Sequence, residues 1–176
     1  MLQLSSVANV GVHRTCTPLY EKYQATPINT FLDPTDTNNI YSGQVMQRSG
    51  PDTVVLASGG TSGAKPLGLS VLDRNPNIDD VTQVGVNAWS VWIGNANSLF
   101  SITAPAFDTS VSYTVPTNGS RQFLYTASGT NGNAAGQLTT YSGAAGTLGA
   151  VPVAELWDVI SPTQITVRIV PFGAYN

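Results

Sequence analysis

The sequence predicts an all-β protein, a small antiparallel β-sandwich or a β-barrel/tulip-like domain that is preceded by an extended N-terminal arm. Three observations predict this class. Short apolar runs alternate with period two, turns rich in glycine, serine and proline separate them, and no window keeps an apolar period near 3.6 beyond two turns. Many short strands without intervening helices are typical of sandwiches and barrels.

The composition excludes several partners. The chain has 176 residues, and only 10% of them are charged, with a net charge of −3. An average soluble domain has roughly 25% charged residues. Seven Lys and Arg are outnumbered by ten Asp and Glu, which argues against binding nucleic acid. No stretch approaches the ~20 apolar residues that span a membrane. Few charged residues and a small net charge give little repulsion between molecules. This favours association and suits a protein that works in an assembly.

Residues 1–40 differ from the rest, because Pro18, Pro27 and Pro34 interrupt every apolar run. The piece 17–24 could form one or two helical turns with Thr17 as N-cap, but it is too short to be stable alone. We interpret this region as an extended arm with at most a short helix. A loop packed on its own domain is an equally acceptable interpretation.

The β-rich domain is predicted at residues 41–176. Strands are expected at 44–48, 53–57, 67–72, 88–93, 98–103, 110–115, 121–127 and 163–170. Alternation places Trp89 and Trp92 on opposite faces of one strand, and Asn118-Gly119 predicts a hairpin turn. In the last strand, alternation points Ile165, Val167 and Ile169 inward and Thr166 and Arg168 outward.

A loop rich in Gly, Ala and Ser is expected at about 126–150, around one short strand near 136–141. Small residues bury little surface and lose much backbone entropy on ordering. The segment is therefore interpreted either as a piece that orders against a neighbouring subunit or as an ordinary surface loop.

The nucleophiles and histidine do not form a recognisable catalytic or metal site. His13 is the single histidine and Cys16 the single cysteine, so two ligands three residues apart cannot complete a zinc site. The stretch 59–66, GGTSGAKP, is a near miss to both a phosphate loop and a nucleophile elbow. A glycine-rich hairpin loop explains it better. No cofactor or metal is expected.

The Asp and Glu residues do not form a recognisable calcium site or catalytic pair either. Asp33, Asp36 and Asn38 supply oxygens suited to calcium, but Asx-type turns around Pro34 are the more economical account. A glycosidase would need two carboxylates at a suitable separation. The candidates for such a pair are Asp33, Asp52, Asp73, Asp79, Asp80, Asp108, Glu155 and Asp158. No pair has a compelling spacing, so no catalytic residue is assigned and the chain is not expected to be an enzyme.

The aromatic residues Trp89, Trp92, Phe100 and Phe107 could line a sugar-binding platform. Only one of the two tryptophans can face such a surface, because they point in opposite directions. Filling of the core is the favoured role for most of these side chains.

Five pieces of the chain together form a pattern seen in a known family. In order they are IYSGQVMQRSG, TVVLAS, KPLGLSVLD, NAWSVWIGNANSLFSITAPAFD and PVAELWDVISPTQITVRIVP, with a glycine-rich stretch before the last. The pattern resembles head decoration (cement) proteins of tailed bacteriophages. The resemblance implies a structural virion protein on the capsid exterior, made in the host cytoplasm, that binds the major capsid protein, forms a homotrimer and stabilises the expanded shell.

The resemblance carries no fixed contact motif, so the contact residues come from the arm interpretation. Apolar and aromatic anchors commonly dominate interfaces. We therefore expect Leu19, Tyr20, Tyr23 and Phe31 to contact the capsid or another subunit. Two alternatives stay open at this point: a phage tail, collar or adsorption β-sandwich protein, and a carbohydrate-binding module.

Overall fold

The computed structural model describes residues 16–19, 27–58, 66–74, 88–94, 99–117, 119–127, 129, 134–140 and 151–170. Eleven strands and no helix occur among these residues. They form a closed five-stranded barrel and a six-stranded sheet. The expectation of an all-β fold is confirmed. Of the two predicted architectures, sandwich and barrel, the structure contains a closed barrel, together with a six-stranded antiparallel sheet.

Five strands build the barrel, in the order β2-β4-β3-β5-β6, and β6 closes it by pairing with β2. These strands are β2 (Pro27–Leu32), β3 (Val45–Arg48), β4 (Thr53–Leu56), β5 (Pro66–Ser70) and β6 (Ala88–Trp92). Neighbours run antiparallel except β2 and β4, where Phe31 lies opposite Thr53 in a parallel pair. The sequence had predicted antiparallel pairing alone. Parallel pairing needs a crossover connection rather than a hairpin, and no local pattern encodes it.

The other six strands form the open sheet, in the order β1-β7-β11-β10-β8-β9, with every pair antiparallel. They are β1 (Cys16–Pro18), β7 (Leu99–Thr103), β8 (Phe123–Thr126), β9 (Leu138–Thr140), β10 (Ala154–Ser161) and β11 (Gln164–Ile169). The longest pairing joins β10 and β11, whose two-residue turn is Pro162-Thr163.

Two apolar cores follow from the alternation of side chains along these strands. The barrel interior contains Leu32, Ile40, Met46, Val54, Leu56, Trp89 and Val91. Alternate residues of the same strands, such as Val45 and Trp92, point out of the barrel and pack against the six-stranded sheet. The rings of Trp92 and Phe100 are 5.6 Å apart at this junction. One face of the sheet is thereby covered by the barrel, and we call the opposite face the outer face.

A close backbone contact also joins the barrel to the chain segment that leads into β9 of the six-stranded sheet. The N–H of Val45 donates to the carbonyl of Gly136, 2.7 Å away. Gly136 has φ +77°, and a Cβ at this position would lie 2.4 Å from Leu56 Cδ1. Only glycine combines this backbone conformation with this approach.

Most of the expected strands are present. Six of them correspond to β3 to β8, the last one to β11, and the short strand expected near 136–141 is β9. Ile165, Val167 and Ile169 are fully buried, as alternation predicted, but Thr166, which was expected to point outward, is only 5% exposed. The strands β1, β2 and β10 were not predicted, since prolines mark the first two and the third does not alternate regularly.

The strand expected at 110–115 is absent, and that prediction was wrong. Hydrogen bonds made by side chains, and not backbone pairing with another strand, fix the conformation of this segment. Asp108 accepts the N–H and the hydroxyl of Ser110, and the hydroxyl of Tyr113 donates to the carbonyls of Asp108 and Leu138. Asp and Ser compete with strand pairing through such local hydrogen bonds. The expected hairpin at Asn118-Gly119 therefore has no strand to precede it.

Two segments of the region 1–40 lie in the sheets. Residues Cys16–Pro18 pair with β7 as a strand, at the start of the piece 17–24 for which one or two helical turns were allowed, and Pro27–Leu32 belong to the barrel. Residues 20–24 of that piece lie outside the described residues. Pairing gives the backbone of such a short segment the hydrogen bonds that an isolated helical turn cannot keep. An arm can thus involve only residues outside these two strands, such as 1–15, which lie outside the described residues.

Candidate functional site

The four anchors predicted from the sequence are placed differently. Leu19 follows β1 at the edge of the six-stranded sheet, where its N–H donates to the carbonyl of Leu99 at 3.0 Å, and its side chain is exposed. Phe31 lies on the barrel strand β2 and is 54% exposed. Tyr20 and Tyr23 lie outside the described residues. The two described anchors are thus on different sheets, and both present apolar surface to solvent.

The single cysteine has no reactive surroundings. Cys16 is buried in the core between sheet and barrel, and its pKa is raised, first by burial and then by the charge of Asp73. A thiol in such a place is held in the neutral form and is a poor nucleophile. His13, its expected neighbour, lies outside the described residues, as do Asp79, Asp80 and the loop before Pro66.

The carboxylates near Pro34 bond to neighbouring residues, and Asp36 Oδ2 also accepts the N–H of Leu56 on β4, 2.7 Å away. Asp33 Oδ1 accepts the N–H and the hydroxyl of Thr35, and Asp36 Oδ1 accepts the N–H and the side-chain amide of Asn38. The prediction of Asx-type turns is confirmed by these bonds. The hydrogen bonds from Thr35 lower the pKa of Asp33. Within the described segments, no group of three or more His, Cys, Asp or Glu is placed to hold a metal ion.

The aromatic residues considered as a sugar platform are core residues. Trp89 lies in the barrel interior, whereas Trp92, Phe100 and Phe107 are buried in the core between sheet and barrel. The two tryptophans do point to opposite faces of β6, as alternation predicted. Core filling, the favoured interpretation, is confirmed.

The remaining tryptophan, Trp157, is 51% exposed, and Ile160 nearby is 56% exposed. Both lie on β10, and both were missed by the sequence analysis. The pairing of β10 with β11 shifts register between Leu156 and Asp158, and again between Val159 and Ser161. Each shift leaves one extra residue on β10, so Trp157 and Ile160 are the unpaired residues of two β-bulges.

An ion-pair cluster supports Trp157 on the outer face. The guanidinium carbon of Arg168 lies 5.7 Å from the centre of the Trp157 ring, and Arg168 also forms a close ion pair with Glu155. A second arginine, Arg121, lies 3.6 Å from the same carboxylate. The side chain of Glu155 is only 9% exposed, whereas that of Arg121 is 58% exposed. The carboxylate is thus covered, and a guanidinium faces solvent.

Strand register aligns this cluster with apolar neighbours. Leu99, Arg168, Glu155 and Phe123 face one another in a row across four strands. Leu19 extends the row at the β1 edge through its bond to Leu99. The next row of the outer face contains Ser101, Thr166 and Asp158 and is polar. The arrangement is a stripe of apolar side chains and arginines beside polar side chains, which can bind a protein surface.

The signal for this site was present in the sequence. Leu156-Trp157 and Val159-Ile160 are adjacent apolar pairs, and adjacent residues of a regular strand point to opposite faces. Such pairs indicate either a strand buried on both faces or a bulge. The charged residues Asp158 and Arg168 exclude burial on both faces.

Comparison with known proteins shows the family of the chain. Residues 2–173 match the family model described as phage cement protein. The chain belongs to the phage cement protein family. Searches of curated proteins and of solved structures gave no match. Members of a cement family associate with a phage capsid, so the protein has a structural, capsid-associated role in the virion.

Proposed function

We propose that the protein binds the outside of a phage capsid through the major capsid protein, as a homotrimer, and stabilises the expanded shell. The observation that carries this proposal is the family match over residues 2–173. The low charge of the chain, 10% of residues, also favours assembly over a free monomer. Synthesis in the host cytoplasm and the absence of catalysis are part of the proposal.

Many weak contacts support such a role physically. A trimer that bridges several capsid subunits gains affinity from simultaneous attachment, because the second and third contacts form at a high effective concentration. A bound state that exists only on the expanded shell stabilises that shell by mass action.

The first experiment is the copy number in gradient-purified particles of the source phage, measured by mass spectrometry against the major capsid protein. The proposal expects about one copy per capsid subunit, which is the ratio for a trimer at every threefold and quasi-threefold position of the shell. A handful of copies per particle would support the alternative of a tail or collar protein. Absence from the particles would contradict every virion role.

Shell stabilisation has its own test. Heads with and without the protein are heated, and release of DNA is followed with an intercalating dye. The proposal expects release at a lower temperature from heads that lack the protein, and recovery when purified protein is added back. Equal release temperatures would contradict stabilisation while leaving attachment intact.

The anchors Leu19, Tyr20, Tyr23 and Phe31 remain proposed contacts, supported at Leu19 and Phe31 by exposed apolar side chains. Removal of residues 1–15 tests the arm without deleting β1 or β2, which removal of 1–30 would disrupt. The single changes Leu19→Ser and Phe31→Ser test the two described anchors. Val115→Ser is the matched control, because Val115 is also exposed, at 38%, and lies in a segment without strands.

A further inference from the structure

We propose that the outer face of the six-stranded sheet, centred on Trp157 and Ile160, is the surface that docks on a capsid subunit. This inference rests on the proposed function, since it names the surface through which that function is performed. It differs from the anchors above, because neither residue belongs to the N-terminal region.

The first argument is the placement of the two side chains. Without bulges, β10 would present one outward residue for each inward one. Its two bulges add Trp157 and Ile160 to the exposed surface while Leu156 stays buried opposite Val167. Neither side chain belongs to either core. Bulges are frequent where a strand must redirect a side chain for function.

The second argument is that Trp157 is held in place before any partner binds. Arg168 lies against the indole ring, and the largely buried Glu155 fixes Arg168 through their ion pair. An aromatic ring with restricted rotation loses less entropy when it is buried by a partner. Tryptophan and arginine are also the residue types most enriched among those that dominate binding energy.

The third argument identifies the occupant. The exposed side chain of Arg121 lies beside Glu155, which precedes Trp157 on β10, and the exposed carboxylate of Asp158 lies between Trp157 and Ile160 on the same strand. A partner that fits has an apolar depression for the indole, with an acidic group and a hydrogen-bond donor at its border. Because the chain belongs to a family that associates with phage capsids, we assign this complementary surface to a capsid subunit.

The experiment measures binding of full-length protein to heads of the source phage that lack it. Bound copies are counted after sedimentation, over a range of protein concentrations. Trp157→Ala is expected to weaken binding about 30-fold, the effect of losing a dominant interface residue. Ile160→Ser is expected to weaken it several-fold, and Trp157→Phe to retain most of the affinity. Val115→Ser is expected to bind as the wild type does.

Folding and association are measured on the same variants. Circular dichroism should be unchanged and the urea midpoint should shift only slightly, since both residues lie outside the cores. If the wild type binds and both Trp157→Ala and Ile160→Ser bind equally well, this inference is overturned and the proposed function is not. Failure of the wild type to bind would overturn the proposed function as well. A change in oligomeric state, by light scattering, in the Trp157→Ala protein would assign the face to a contact between copies and also overturn docking on the capsid.

Discussion

The guanidinium carbon of Arg168 lies 5.7 Å from the centre of the Trp157 ring, and the same guanidinium forms an ion pair with Glu155. An exposed indole is thereby tied to a covered carboxylate through one cation. The register of β10 and β11 thus places Trp157 on the surface that we propose for docking. We expect Glu155 to contribute mainly to stability and Trp157 mainly to binding.

We expect Trp157→Ala to change the free energy of unfolding by less than about 1 kcal/mol, because half of the side chain is already exposed. Trp92→Ala should cost about 3–5 kcal/mol, since that ring is buried between barrel and sheet. Urea unfolding of both variants measures the difference. Equal losses would mean that Trp157 is part of a core.

Glu155→Gln should destabilise the protein by about 2 kcal/mol, the value of a hydrogen bond to a charged group that is largely shielded from water. Its side chain is 9% exposed, so added salt should screen the effect only weakly. The measurement is unfolding in urea at low and high salt. The double change with Arg168→Gln should cost less than the sum of the single changes, and strict additivity would argue against the pair.

Gly136→Ala should cost clearly more than Gly119→Ala. Both glycines have φ +77°, so both changes strain the backbone by about 1–2 kcal/mol. At Gly136 the new Cβ would also meet Leu56 at 2.4 Å, whereas at Gly119 it meets nothing within 4 Å. Thermal unfolding of the two variants compares them directly. Similar melting temperatures would contradict the close approach of barrel and sheet.

The protein should lose stability in alkali through Tyr113. Burial, and then the charge of Asp108, raise the pKa of this tyrosine in the folded state. The stabilising contribution of a raised pKa is complete below the unfolded pKa of about 10 and is lost as the pH rises above it. Unfolding measured on either side of pH 10 should show a smaller loss for Tyr113→Phe. An identical alkaline slope in this variant would assign the loss to other groups.

Cys16 should be inert in the native protein. Its buried thiol, whose pKa is raised, is placed by the pairing of β1 with β7. Ellman's reagent should therefore modify it only after unfolding in urea, at the rate of unfolding. Rapid modification in native buffer would contradict the described position of β1 in the sheet.

The local alternation of apolar and polar residues was sufficient to predict the fold class and many of the core positions. Alternation identified the opposite faces of Trp89 and Trp92 and the inward side chains of β11, because the direction of a side chain in a strand depends only on its parity. It failed at 110–115, where hydrogen bonds of Asp108 and Tyr113 replace strand pairing. It also failed at β10, because two bulges interrupt the alternation.

The sequence by itself determined an all-β chain of low charge, the local turns at Asp33 and Asp36, and the opposite faces of Trp89 and Trp92. These follow from composition, from hydrogen bonds between near neighbours and from the alternation of side chains along a strand. Only the tertiary structure decided that β2 closes a barrel against β4 and β6, that β1 joins β7, and that Trp157 faces outward over Arg168. These features depend on pairings between residues far apart in the chain, and their register is set by the packing of the whole fold.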